Sequence, residues 1–383
     1  MKQLKAKKTL ILGAGPFIRG LLAEIRRQPG CRYRITGVVA WEDPDEASGC
    51  GYPVLGTVDD LHRIIRQHEP QVIIVEPPVD RAQATNRQLL DARVLHNVRI
   101  EHAQAVYEQV AGKLPLETFA PEDIIYSNDF QPKRAALMAT RLLSLGFAAA
   151  GLILLAPLML LIGLLIRFDS AGPALFSQER TGLAGRPFKL LKFRTMAPAE
   201  GQQSEWEEDN VDRITRVGRW LRKCRLDELP QFFNILRGDM NIVGPRPHPS
   251  SNFELFVLAA RNTPESGVQI PYYSMRYSVR PGLTGWAQVR YRYANNLDEE
   301  MEKLRFDLYY LKHYSLWLDI RILVETVTMI FARSNRVQDQ ATDRPQEQTF
   351  VPDTAGDHPE RAEQIHPAVK RARQQAFRSR NAA

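Results

Sequence analysis

The chain has 383 residues, enough for two domains that each bury a hydrophobic core. Its 51 Lys and Arg outnumber its 44 Asp and Glu, and the net charge of +7 indicates an anionic partner: nucleic acid, phospholipid headgroups or a phosphorylated small molecule. The three cysteines are widely spaced without metal-site spacing, which excludes a zinc module or disulfide framework and predicts free thiols in a reducing compartment.

Short runs of β-branched residues alternate with helical patterns in the first third of the chain. Residues 9–12, 35–40 and 71–76 are predicted strands, and Leu61–Arg66 is an amphipathic helix between two of them. This alternation is typical of βαβ units around a parallel sheet, so we expect an α/β domain over residues 1–125. The apolar run after the basic N-terminus is too short for the core of a signal peptide, and no export is expected.

A glycine-rich turn, Gly13–Gly20, follows the first predicted strand. In dinucleotide-binding folds the pyrophosphate meets a helix N-terminus at this point. Ile18 occupies the position of the third glycine in G-x-G-x-x-G, so the fingerprint is incomplete. One interpretation is a nucleotide site with Glu42 and Asp43 facing a ribose. The favoured one is a Rossmann-like fold whose glycines only permit the tight turn, and this domain is not expected to be a catalytic partner.

Residues 142–166 contain no charged side chain, a length that would cross a bilayer, which requires ~20 apolar residues. A buried soluble helix does not need so long an uncharged segment. Pro157 lies inside it and favours a kink, because proline removes a helical hydrogen bond. Both flanks are basic, and positive charge favours the cytoplasmic face. A kinked helix that enters one leaflet and returns is therefore favoured over a spanning helix, which would separate the two soluble parts.

Asp227 and Glu228 lie beside an arginine cluster formed by Arg219, Arg222 and Arg225. Two adjacent carboxylates among guanidinium groups suit a polyanionic ligand bridged by a divalent cation, and Mg²⁺ prefers one or two carboxylates with phosphate oxygens. Aspartate is also a competent nucleophile toward phosphorus. The alternative is a solvated row of ion pairs on a helix, and the two carboxylates alone do not decide between these interpretations.

Three further segments add cationic and stacking groups. Arg246 lies on a proline-flanked turn, where its guanidinium is suited to bidentate contact with phosphate. Lys192 and Arg194 form a second basic segment, and Trp286 in a third is available to stack. Together these segments favour a phosphate-binding site around the carboxylates.

The stretches FKLLKFRTM, RLDELPQFFNILRGDMNIVGPRP and VRPGLTGWAQV resemble, in order and spacing, the bacterial sugar transferase family. Its members are monotopic polyprenyl-phosphate phosphoglycosyl transferases, and the resemblance covers residues 133–335. The first domain is similar to the Rossmann-like domain of the large members. Those usually carry further N-terminal transmembrane helices, which we do not expect here.

This resemblance implies transfer of a sugar-1-phosphate from a UDP-sugar to polyprenyl (undecaprenyl) phosphate, with release of UMP. It would be the first membrane step of exopolysaccharide, capsule or O-antigen assembly. Asp227 would be the nucleophile that forms a covalent aspartyl-phosphosugar intermediate, Glu228 its partner, and Mg²⁺ the metal held by both. Four cationic residues would bind substrate phosphates, namely Lys192, Arg194, Arg222 and Arg246.

The expected fold class is α/β, with an N-terminal Rossmann-like parallel-sheet domain and a mostly helical, membrane-associated catalytic domain with a re-entrant helix. The resemblance implies a hairpin break at a Ser-Pro pair, and Ala156-Pro157 stands at that place here. The expected divisions are a Rossmann-like domain (1–125), a linker with a basic membrane-entry segment (126–140), the re-entrant helix (141–167), the catalytic domain (168–335) and a disordered tail (336–383).

The expected location is the bacterial inner membrane, with both soluble domains on the cytoplasmic face. The expected partners are a UDP-sugar, polyprenyl phosphate and membrane lipids, and a homodimer is left open. A nucleic-acid-binding protein would not explain the uncharged segment, and its basic residues would gather on one recognisable element. A nicotinamide-dependent enzyme would explain only the first domain.

Overall fold

The computed structural model describes residues 6–28, 30–76, 82–119, 124–127, 129–197, 213–249, 272–291 and 297–335. The predicted disordered tail lies outside these residues, as do residues 198–212. The chain divides into two compact units after Ala120. Each unit is described separately below.

The first unit is built on a parallel sheet of five strands: β1 (Lys7–Leu12), β2 (Tyr33–Ala40), β3 (Val54–Thr57), β4 (Val72–Val75) and β5 (Arg99–His102). Their order in the sheet is β3-β2-β1-β4-β5. The helices are α1 (Pro16–Arg27), α2 (Leu61–His68), α3 (Ala82–His96) and α4 (Ala103–Ala111). This architecture confirms the expected parallel-sheet fold.

Both faces of the sheet are buried. Successive strand residues point to opposite sides, and helices cover each side. Ile11 and Ile74 pack in one core cluster with α1 and α4. Leu10 and Ile73 pack in a second cluster with α2. The short β-branched runs in the sequence are therefore strands covered on both faces.

Protein atoms lie over the glycine turn that follows β1. Gly13 has φ +121°, a conformation open to glycine, and a Cβ on Gly15 would lie 2.9 Å from Oε2 of Glu76. The Trp41 indole donates to the Glu76 carbonyl at 3.1 Å. A carboxylate would repel the phosphates of a dinucleotide at this position. The geometry thus supports the interpretation that these glycines only permit the turn.

The second unit is mostly helical. Its helices are α5 (Arg134–Asp169), α6 (Arg216–Cys224), α7 (Gln231–Arg237), α8 (Trp286–Arg290), α9 (Leu297–Lys312) and α10 (Leu316–Asn335). An antiparallel hairpin joins β6 (Leu175–Thr181) to β7 (Pro187–Phe193), and β8 (Asn241–Val243) pairs in parallel with β9 (Gly282–Thr284). The sequence therefore folds into α/β and mostly helical parts in the expected order.

Helix α5 contains the uncharged segment but is longer than the predicted 141–167. It extends from Arg134 to Asp169, with Ala156 and Pro157 inside it. Within the described residues, it is the one helix long and apolar enough to cross a membrane. Many of its large apolar side chains are exposed, including Leu142, Ile153, Leu154, Leu160, Leu164 and Phe168.

Both halves of α5 contact the rest of the second unit. Before Pro157, the Ser144 hydroxyl accepts from the Ile242 amide at 3.1 Å. A Cβ on Gly151 would lie 2.8 Å from the Phe232 ring, so helix and ring are in close contact. After Pro157, Ile162 and Ile166 pack in a buried cluster with Phe193 and Leu221. One folded unit therefore holds the helix on both sides of its proline.

A buried carboxylate lies at the start of α10. Asp319 is 1% exposed, and its Oδ1 accepts a hydrogen bond from the Tyr310 hydroxyl at 2.8 Å. Burial raises the pKa of Asp319 to about 7, although the Tyr310 hydrogen bond acts in the opposite direction. The folded state therefore keeps a proton that the unfolded chain loses at lower pH.

We predict that the free energy of unfolding falls as the pH rises from about 4 to about 7, because the unfolded chain releases this proton at a lower pH than the folded chain. Asp319→Asn keeps the hydrogen bond and should remove this pH dependence, stabilising the protein at pH 8 by on the order of 2–4 kcal/mol. Chemical unfolding in detergent at pH 5 and pH 8 measures both effects. The exposed Asp129→Asn is the matched control, and equal wild-type and Asp319→Asn stability at pH 8 would contradict the prediction.

Candidate active site

Asp227 and Glu228 lie on a tight turn between two helices. Helix α6 ends at Cys224, and Arg225 adopts the left-handed conformation (φ 57°, ψ 20°) that non-glycine residues rarely use. A short 3₁₀ turn then carries both acids, and Pro230 precedes α7. Residues in strained conformations cluster at functional sites, because the surrounding structure must hold them in place.

Three cations surround the Glu228 carboxylate. Its Oε1 lies 3.2 Å from Nη2 of Arg246, 3.6 Å from Nη1 of Arg225 and 3.8 Å from Nζ of Lys192. Burial by itself would raise the pKa of Glu228, but the charges of Arg246, Lys192 and Arg225 lower it to about 2. Glu228 is therefore an anion throughout the physiological pH range.

Asp227 is as buried as Glu228, but one of its oxygens lacks a hydrogen bond. Its Oδ1 is buried and has no hydrogen-bond partner in the structure. Burial and the neighbouring Glu228 raise its pKa, whereas the charges of Lys192, Arg225 and Arg222 lower it. Because an unpartnered buried carboxylate oxygen is costly, this atom is suited to contact a bound ligand or ion.

The amine of Lys192 lies within the same charged group. Burial lowers the pKa of Lys192 to about 8, although the Glu228 charge opposes that shift. A small cleft beside it is lined by Arg180, Leu190, Lys192, Gln231, Arg246, Pro247 and Gly282. Three of these seven residues are cationic, which suits the cleft to a phosphate oxygen.

The structure brings three of the four predicted phosphate-binding residues to this place. Lys192 and Arg246 contact Glu228, and Arg222 donates to the Thr195 hydroxyl at 2.9 Å while its charge acts on Asp227. Arg225 belongs to the same group, but its residue type does not predict its left-handed backbone. The sequence did not identify Arg180 as a site residue, because the β6–β7 hairpin is what brings it to the cleft beside Lys192.

Arg194 was expected in the phosphate pocket, but the structure places its guanidinium at the end of α5. Its guanidinium is buried and donates to the carbonyl of Ala171 at 2.9 Å and to the Ser170 carbonyl at 2.6 Å. A longer bond reaches the Ile166 carbonyl at 3.4 Å. The Ser170 and Ala171 carbonyls lie just past Asp169, the last residue of α5, and the Ile166 carbonyl in the last turn also accepts from the Ser170 amide, so Arg194 caps the end of the apolar helix.

The two carboxylates were also tested as a magnesium site. Within the described residues, no group of three or more His, Cys, Asp or Glu side chains could hold a metal. Mg²⁺ commonly uses only one or two carboxylates and completes its shell with water and substrate phosphates. The unpartnered Oδ1 of Asp227 fits that requirement. The donor set is therefore compatible with Mg²⁺ that binds together with a diphosphate.

The contacts of Arg194 generate a stability prediction. Arg194→Ala removes the side-chain donor to the Ser170 and Ala171 carbonyls and leaves space where a buried guanidinium lay, so it should destabilise the protein by about 2–4 kcal/mol. Thermal and chemical unfolding in detergent measure the loss. Arg186→Ala, which removes an exposed arginine from the same hairpin, is the control and should change little. If both variants are equally stable, Arg194 does not hold the helix end.

Comparisons with known proteins find a matching family and several relatives. The model of the family described as bacterial sugar transferase matches residues 135–333. A UDP-glucose:undecaprenyl-phosphate glucose-1-phosphate transferase from Caulobacter vibrioides is 42% identical over 207 residues, which cover 53% of this chain and 74% of that protein.

Two further relatives extend the comparison. A UDP-N-acetylgalactosamine-undecaprenyl-phosphate N-acetylgalactosaminephosphotransferase from Aeromonas hydrophila is 35% identical over 237 residues, 62% of this chain and 53% of that protein. An undecaprenyl-phosphate glucose phosphotransferase from Komagataeibacter xylinus is 31% identical over 346 residues, 87% of this chain and 61% of that protein. The chain spans just over half of the Aeromonas relative's length, and the matched family model includes both carboxylates. The chain belongs to the bacterial sugar transferase family.

Proposed function

We propose that this chain is a phosphoglycosyl transferase that moves a sugar-1-phosphate from a UDP-sugar to polyprenyl phosphate and releases UMP. The observation that carries the proposal is the Asp227–Glu228 pair, in which one acid is held by three cations and the other has an unpartnered oxygen. The names of the three relatives support it, since each includes undecaprenyl phosphate and a sugar phosphotransferase activity.

In the first step, a carboxylate oxygen of Asp227 attacks the phosphorus that bears the sugar. A bond forms between this oxygen and phosphorus, the bond from phosphorus to the bridging oxygen breaks, and UMP leaves with the electron pair. Lys192, Arg222 and Arg246 reduce the repulsion between the anionic aspartate and the diphosphate. Glu228 keeps Lys192 and Arg246 close to this point through its ion pairs.

In the second step, an oxygen of polyprenyl phosphate attacks the phosphorus of the aspartyl-phosphosugar. The bond between Asp227 and phosphorus breaks, which restores the carboxylate and leaves the sugar on a lipid diphosphate. Nucleophilic catalysis divides one difficult transfer into two steps. This division suits a soluble donor and a membrane-bound acceptor, because each can use the same cationic site in turn.

Mg²⁺ would be held by Asp227 and Glu228 together with oxygens of the substrate. When bound, the ion would supply additional neutralisation of the diphosphate charge. The protein cations remain necessary, since they lie on the Glu228 side of the pair and hold this carboxylate in its charged form.

The same family relation supports a reaction at a membrane, and the contacts of α5 support one arrangement there. Residues 140 and 166 lie about 40 Å apart along an ideal helix, more than the ~30 Å hydrocarbon core of a bilayer, yet the same folded unit contacts both regions. A helix that crossed the bilayer would carry one of these contact regions to the other side. We therefore propose a re-entrant segment around Ala156 and Pro157 that enters one leaflet, with both soluble parts on the cytoplasmic face.

Helix α10 supports this arrangement. It packs against α5, and one of its faces carries exposed apolar side chains at helical spacing, namely Leu316, Trp317, Ile320, Val324 and Val327. Tryptophan is enriched at membrane interfaces because its ring is amphipathic. Lipid contact along α5 and this face of α10 would keep the charged site close to the headgroups, where the phosphate of a lipid carrier lies.

The proposed function is tested by whether UMP is released before the lipid acceptor reacts. Wild-type protein mixed with UDP-sugar alone should release about one UMP per enzyme and carry an adduct with the mass of a phosphosugar on the peptide that contains Asp227. Asp227→Asn removes the nucleophile without changing its shape and should reduce turnover by about 10³-fold or more. Rapid-quench measurement of UMP and peptide mass spectrometry follow both outcomes.

The matched control is Asp239→Asn, a neighbouring carboxylate whose Oδ2 accepts from the Asn234 amide at 3.1 Å. This variant keeps an acceptor there and should retain turnover and adduct. UMP release only in the presence of polyprenyl phosphate, without any trapped adduct, would show direct displacement. Asp227 would then act as a metal ligand alone.

The membrane arrangement is tested with single cysteines in a variant that lacks Cys31, Cys50 and Cys224. Cysteines at the exposed positions Lys133 and Ala171 flank the two ends of α5. Both should react with a membrane-impermeant reagent from the cytoplasmic side of oriented vesicles. Reaction of one cysteine only from the opposite side would show that α5 spans the bilayer.

A further inference from the structure

A buried ion pair lies behind the turn that carries Arg246. Nη2 of Arg276 lies 2.8 Å from Oδ2 of Asp307, and the two residues are 5% and 2% exposed. Burial of two charges has a large desolvation cost, and such pairs are often replaceable by apolar residues without loss of stability. Stability alone therefore does not account for this pair.

Arg276 also holds the backbone and a side chain of the neighbouring turn. Its Nη2 donates to the Arg246 carbonyl at 3.2 Å, and Nη1 lies 3.1 Å from Nε2 of His248. The Tyr273 hydroxyl lies 2.7 Å from Nδ1 of the same histidine. Burial, followed by the charge of Arg276, lowers the pKa of His248 well below its usual value, so the ring is neutral.

The rest of this turn is held from other elements. Arg180 donates to the Pro247 carbonyl at 3.2 Å, and the Thr181 amide donates to the His248 carbonyl at 3.1 Å. The Gly282 amide donates to the Pro245 carbonyl at 2.9 Å. Backbone contacts thus restrain the turn on several sides, while the Arg246 side chain reaches Glu228.

We propose that Arg276 and Asp307 are positioning residues of the active site: the pair fixes the turn so that the Arg246 guanidinium meets Glu228 and the substrate phosphate. This inference rests on the proposed function. A guanidinium is suited to the role because its fixed fork can serve a carboxylate, a carbonyl and an imidazole at once. Asp307 supplies the negative charge that keeps that guanidinium buried.

The test is a double-mutant cycle on the full-length, detergent-solubilised protein with both substrates present. Asp307→Asn keeps the side-chain volume and removes the anchoring charge. Arg246→Gln should lower kcat/KM by about 100-fold in the wild-type background but by less than about tenfold in the Asp307→Asn background, because both changes disable the same contact. Steady-state UMP release, normalised to folded protein, gives each value.

Arg276→Lys provides a second variant in case Asp307→Asn folds poorly. Lysine keeps a positive charge beside Asp307 but loses the fork that reaches Arg246 and His248. It should reduce kcat/KM and show the same reduced response to Arg246→Gln. The control is Tyr310→Phe, which removes a buried hydrogen bond to Asp319 and should leave the full Arg246→Gln effect.

If the Arg246→Gln effect is the same in every background, Arg276 and Asp307 serve only folding and the inference is wrong. This outcome is separate from a failure of the proposed function. Retained turnover in Asp227→Asn would overturn the proposed chemistry whatever the cycle shows. Loss of turnover in Asp227→Asn together with independent effects in the cycle would overturn only the positioning role.

Discussion

A carboxylate as buried as Glu228 requires positive charge nearby to offset the hydration that it loses. Here that charge comes from three separate segments: Lys192 on β7, Arg225 at the end of α6, and Arg246 on the turn after β8. None of these segments can supply the charge until all are folded against one another. The charge balance of the site therefore depends on the packing of the whole second unit.

A buried polar side chain close to these charges has its hydrogen bonds made within the same unit. Asn234 is fully buried, its side-chain oxygen accepts from the Leu191 amide at 2.9 Å, and its amide donates to the Lys189 carbonyl at 2.8 Å. One side chain thus ties α7 to the strand that carries Lys192. Polar networks in which every member is paired specify a single arrangement, which is what a site of closely spaced charges requires.

Local patterns predicted the parts of the structure that local chemistry determines. The short β-branched runs led to the parallel sheet, and the absence of charge led to the long apolar helix. Adjacency alone drew attention to Asp227 and Glu228, since neighbouring acids among arginines are conspicuous in one sequence. Pro157 predicts a kink in this helix, and contacts at Gly151 and Ile162 attach the chain to the same unit on either side of the proline.

The remaining features depend on contacts between distant segments or on backbone conformation. The left-handed backbone of Arg225 is not encoded by its residue type, and the pairing of Arg276 with Asp307 needs the fold to be known. Arg194 shows the same limit. Its position two residues after Lys192 suggested a shared pocket, whereas the structure directs the two side chains to different tasks.

Through these two residues, one short stretch of backbone connects the apolar helix α5 to the charged site. Arg194 donates hydrogen bonds to the Ile166 and Ser170 carbonyls at the end of α5. Lys192, two residues earlier, contacts Glu228. A displacement of the helix end would pull on Arg194 and shift the backbone beside the lysine amine. In the proposed arrangement, with α5 in a bilayer, bilayer thickness and lateral pressure would therefore act on the electrostatics of the carboxylate pair through this backbone.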